Sequence, residues 1–223
     1  MKANLAQRRG LRLASAFLLV VLVLAALLLA TPQGRAWAQE VLQFFSRAGS
    51  DTLPVQTWQL TPVPTPGTPT PDLSSILDAH LNVSEVEAQA GFDVLEPAWL
   101  PDSLTFVGAT YESEKHIARI FYRYVETNGL VVEQEPFQGI EDCELCSLVG
   151  ASAVVESVKI GVTTGEYVEG VWNLTEKGPV WVPDPYLKRL RWQANGIAFE
   201  ILFMGPPEAV TKEDLVAIAR SLK

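Results

Sequence analysis

The chain has 223 residues, with 17 Lys and Arg against 26 Asp and Glu and a formal net charge of −9. That balance argues against nucleic acid as a partner, since such binding needs clustered Lys and Arg to displace counterions from phosphate. Five basic residues (Lys2, Arg8, Arg9, Arg12 and Arg35) and no acidic ones precede residue 39, so the remainder is more acidic still.

Residues 1–12 form a short basic tail. Residues 13–30, from Leu13 to Ala30, are uncharged and apolar but for Ser15. As a helix they reach about 27 Å at roughly 1.5 Å per residue. That spans a bilayer core of about 30 Å when Leu11 and the stem of Arg12 help. A basic flank on one side only sets the N-terminus in the cytoplasm and the rest of the chain outside it. Ala36-Trp37-Ala38 also has the small-x-small form of a signal-peptidase site. A secreted form cleaved after Ala38 is therefore the alternative to a retained anchor.

Residues 31–50 carry Trp37, Val41, Phe44, Phe45 and Ala48 at helical spacing. They are expected to form a juxtamembrane amphipathic helix, lying at the outer interface or packing on the folded domain. Residues 51–72 hold prolines at 54, 62, 64, 66, 69 and 71 among threonines. Such a stretch reads as a semi-rigid linker holding a domain off the membrane.

Residues 73–223 have the character of an exported domain. Leu73, Ile76, Leu77 and Leu81 fit one helical face, and Ser84 with Glu87 suggests a capping box for a helix ending near Gly91. The period then becomes two, predicting strands at 105–111, 117–125, 130–135, 153–160, 164–171, 188–193 and 197–203. Asn128-Gly129 and Asn195-Gly196 read as hairpin turns. Residues 176–185 read as a long exposed loop. A final helix starts at a Thr211/Asp214 box and buries Leu215, Ile218, Ala219 and Leu222. The expected class is α+β, an antiparallel sheet of six or seven strands with helices at both ends and a transmembrane helix before it.

From about residue 90 to the end, the chain resembles a family of uncharacterised exported domains of Gram-positive and related bacteria. They often form the outer part of membrane-bound anti-sigma factors or of sporulation-related membrane proteins. The resemblance is carried by GFDVLEPAWLPDSLTFVGATY, IGVTTGEYVEG, LRWQANGIAFEIL and TKEDLVAIARSL, with GRAWAQEVLQFF similar to the juxtamembrane stretch. It implies a sensing or interaction role without an assigned activity. The family's cytoplasmic zinc-binding domain has no counterpart in residues 1–12, which lack Cys and His, so sigma-factor binding is not implied.

Cys143 and Cys146 are the two cysteines of the chain. In an exported domain they can form a local disulfide, act as a redox pair, join His80 and His116 at zinc, or stay as free thiols. Glu141, Asp142 and Glu144 raise thiol pKa values and disfavour the redox reading. Trp99, Trp172, Trp181, Trp192, Tyr122 and Tyr124 fit a core, or an apolar ligand groove. The sequence lacks G-x-S-x-G, H-E-x-x-H, a Walker phosphate loop and G-x-G-x-x-G. The reading is thus a non-enzymatic sensor or interaction domain that needs no cofactor or metal, with the membrane and an envelope protein as partners. Its alternatives are a lipid or apolar-ligand carrier and a thiol-disulfide redox protein.

Overall fold

Period-two alternation dominates the folded region, because successive strand residues point to opposite sides of a sheet. The computed structural model describes residues 44–53, 81–125, 128–139, 143, 145, 147–176 and 178–223. All belong to one compact unit, Gln43–Lys223. The expected tail, the span from Leu13 to Ala30, Trp37, Val41, most of the Pro/Thr-rich stretch and Cys146 lie outside the described residues. Among the described residues no helix is long and apolar enough to cross a membrane.

The strands are β1 (Phe45–Arg47), β2 (Thr105–Glu112), β3 (Ile117–Val125), β4 (Asn128–Pro136), β5 (Ser147–Val149) and β6 (Val155–Ile160). They continue with β7 (Thr163–Glu169), β8 (Val171–Thr175), β9 (Gly178–Val182), β10 (Leu187–Ala194) and β11 (Ile197–Met204). Among the described residues two helices accompany them, α1 (Val83–Ala90) and α2 (Lys212–Ser221). Seven strands make an antiparallel sheet in the order β2-β3-β4-β11-β10-β7-β6. β8 and β9 form a separate hairpin, and β1 pairs with β5 in parallel.

Of the described residues 52% are strand and 12% helix, so the folded region is mostly β. The α+β expectation, with a helix bounding each end of the sheet, is overturned for physical reasons that can be located. Leu81, expected to close a helical face, instead bridges to Ala109 on β2. At Phe44–Ala48 the amides are taken by a side-chain carboxylate and by β5, which holds the chain extended instead of helical. Gly178–Val182, expected as exposed loop, is β9, and its Trp181 is buried.

The expected sheet strands are present with small shifts at their ends. Asn195-Gly196 forms the two-residue turn between β10 and β11, with φ of 53° and 79° as a type I′ turn requires. Asn128 and Gly129 do not turn; they pair with Val125 and Arg123 inside the ladder. α1 is capped by Asn82 and Glu85, two residues before the expected box, which turns Val83 and Val86 inward together. It ends at Gly91 in the left-handed conformation. The Thr211/Asp214 box of α2 forms as expected.

One face of the sheet carries the main core. Ile120, Val132, Ile201 and Leu190 lie opposite one another across four strands and are fully buried under Val83, Val86, Leu215 and Ile218 of the helices. Trp192 stacks on Phe199 in the same layer at 4.9 Å. The other face carries two smaller clusters, one of Phe45, Val149, Ala153, Val168 and Trp181 and one of Ile117, Leu145 and Ala198.

Candidate functional site

Between those two clusters the second face is charged. Directly opposite residues share a face, and one row crosses all seven strands: Thr110, Arg119, Glu133, Glu200, Arg191, Glu166 and Ser157. Neighbours in such a row stand about 4.5–5.5 Å apart at Cβ, so opposite charges pair and like charges repel. Arg119 donates to Glu133 and, at 2.6 Å, to Glu112. Arg191 donates to Glu200 at 2.8 Å, and Arg189 stands 3.7 Å from the same carboxylate. Glu133 and Glu200 stand directly opposite each other, both within the field of Arg191.

Burial governs the protonation of this row. Glu200 is 4% exposed, and its loss of water pushes its pKa up; nearby Glu133 adds to the shift while Arg191 opposes it. Burial likewise raises Glu166, against two backbone N–H groups and Arg191 that favour its charged form. Glu112, nearer the solvent, is held below its usual value by its hydrogen bond to Arg119. Arg191 is also buried, which lowers its pKa, and its Nε has no hydrogen-bond partner.

Residues 44–53 lie across this face as a strap. Glu166 Oε2 accepts the N–H of Phe44 at 2.8 Å and of Phe45 at 2.9 Å. The Arg191 guanidinium sits 4.4 Å above the Phe45 ring, and its Nη1 reaches the Phe44 carbonyl at 3.5 Å. Hydrogen bonds to a charged group contribute about 1.5–3 kcal/mol each, and a desolvated cation–π contact about 2 kcal/mol. The strap then runs along β5, where Ala48 N donates to Val149 O at 2.8 Å. It finishes on β9: Trp181 N donates to Asp51 O, and Leu53 N to Pro179 O. Asp51 also accepts from Ser152 N at 2.9 Å. A Cβ on Gly150 would fall 2.2 Å from Trp181 and 2.5 Å from the Asp51 carboxylate, so glycine admits the strap there.

The residues singled out by sequence are distributed unevenly. Phe44 and Phe45, expected on an interfacial helix, are 4% and 3% exposed, and Phe45 is in strand β1. Cys143 is disulfide-bonded and half-buried against Ile117, Leu145 and Ala198; with Cys146 undescribed, their pairing is a proposal. His116 is exposed in a turn, with Nδ1 3.0 Å from the Tyr111 hydroxyl. Tyr122 and Trp192 belong to the helix-covered core and Trp181 to the opposite one, while Trp99 is 45% exposed. The aromatic set therefore does not gather round one groove. Two surface clefts, of about 270 and 170 Å³, have mixed charged and apolar linings. Among the described residues no three metal-ligating side chains come together.

Glu166, Arg191 and Glu200 were not singled out by sequence. Each sits at an alternate strand position, where a charge reads as solvent-facing. No protein-family model matches the chain, and no curated protein matches it.

Proposed function

We propose that the chain is a membrane-anchored extracytoplasmic sensor or interaction domain of envelope signalling, without enzymatic activity, resembling the outer part of anti-sigma-factor-like proteins. The observation that carries this reading is the place of the strap in the chain. Residues 31–43 alone separate it from the apolar run, and Glu166, Arg191, β5 and β9 fix it to the second face. A change on that face thus acts directly on the segment leading to the apolar run.

The same placement alters the role of the Pro/Thr-rich stretch. It follows the strap and returns to the sheet at Leu81, so it joins two parts of one domain instead of linking anchor to domain. The expected partner of the domain is a membrane or envelope protein.

A reporter that works only outside the cytoplasm, fused after Lys223, is expected to be active. Affinity purification of the full chain from membranes is expected to recover a protein partner that is lost when residues 72–223 are deleted. A reporter that works only in the cytoplasm, or partners unchanged by the deletion, would overturn the reading.

A further inference from the structure

We propose that the strap's seat on the second face is a peptide-binding site, which residues 44–53 occupy in cis and which a partner's extended segment can take in their place. This deepens the interaction reading and rests on it, supplying the site at which the partner engages.

The seat recognises features that any suitable peptide can offer. Glu166 takes two successive backbone N–H groups and Arg191 reaches a backbone carbonyl. β5 pairs with the strap alone, in a two-stranded parallel ladder that an incoming extended segment would re-form. Side-chain selection falls at Phe45, which enters the cluster of Val149, Val168 and Trp181 beneath the Arg191 guanidinium. Arg47 adds favourable charge toward Glu166 and reaches Ala151 O at 3.4 Å. The fitting ligand is an extended segment of the form aromatic–aromatic–x–basic.

Three observations make the strap separable from the sheet. It packs on the second-face clusters, while the main core contains no strap residue. The charged part of the seat lies within the seven-stranded sheet: Arg191 bonds Glu200, and Glu166 stands directly opposite Arg191 on β10. The 27 residues from 54 to 80 join the strap to the rest of the domain. At about 3.3–3.6 Å per residue such a connection reaches at most roughly 90–100 Å. Lengthening it further changes the closure cost only slowly. A competing segment therefore displaces the strap without dismantling the fold.

The test uses full-length chain in detergent and a fluorescent peptide of residues 43–51, QFFSRAGSD, titrated by anisotropy. Ala48→Pro removes the N–H given to Val149 and loosens the resident strap, so this variant is expected to bind the peptide about tenfold more tightly than the unmodified chain. Adding Glu166→Gln is expected to reverse that gain by about tenfold. Binding by Ala48→Pro no better than by the unmodified chain, or a Glu166→Gln change without effect, would overturn the proposal. Phe45→Ala is run in parallel, with hydrogen exchange on the β11 amides. If both strap variants lose β11 protection, the strap is part of the fold's single cooperative unit and the proposal falls. Peptide binding does not depend on topology, so a chain that binds it yet fails the reporter test loses the envelope reading alone.

Discussion

On the helix-covered face a central row across the strands reads Ile120, Val132, Ile201, Leu190; one residue along the same strands, on the other face, it reads Arg119, Glu133, Glu200, Arg191. The first row stabilises through area removed from water, and its members are interchangeable with other apolar side chains of similar volume. The second must recover a large desolvation cost through particular partners, so its value lies in which residues meet. The contrast also locks register. A slip of one residue would carry Arg191 and Glu200 into the apolar core, and no partner waits for them there.

The comparison breaks most severely at Phe203, fully buried in the main core. Phe203→Ala should cost about 3–5 kcal/mol in denaturant unfolding, by transfer and cavity terms together. On the charged face, Arg191→Met should cost about 3 kcal/mol, because it leaves Glu200 and Glu166 buried beside the cation they lost. Replacing Glu200 as well, in Arg191→Met with Glu200→Met, should recover most of that loss. Equal instability of the single and double variants would show that the row is not an energetic unit.

A pH series sharpens the comparison with a smaller effect. Burial raises Glu166 and Glu200 above 4.5, so the folded chain binds protons where the unfolded chain does not. Their contribution is complete below 4.5 and is lost as pH rises through the raised values. Glu112 has the opposite sign, its contribution present above 4.5 and lost as pH falls through its depressed value. Melting temperature should therefore climb as neutral buffer is acidified toward 4.5, with a shallower climb in Glu200→Gln. The smallest effect belongs to Glu112→Gln, which pairs with Arg119 from beside the row and nearer the solvent, within about 0.2–1 kcal/mol.

Much of the sheet was legible because a half-buried strand writes its own alternation. Ile197, Phe199, Ile201 and Phe203 mark the inner face of β11, and Asn195-Gly196 marks its turn. The strap was not legible for the same reason in reverse. Phe44, Phe45 and Ala48 satisfy a helical period, and nothing local reports that Glu166, more than a hundred residues away, takes their amides. β9 was hidden by Gly178, Pro179 and Pro183, turn residues whose neighbour Trp181 is buried through long-range packing. Glu200 and Arg191 look solvent-facing by pattern; only the strap and neighbouring segments laid over that face make them internal.

The return of the chain at Leu81 has a consequence for proteolysis. A protease cutting anywhere between 54 and 80 would sever one covalent connection, yet the fragment ending in that segment would stay seated by Glu166, Arg191, β5 and β9. Two bands on a denaturing gel should then migrate as one particle under native conditions. Separating the two fragments would require loss of the strap from its seat as well as the cut.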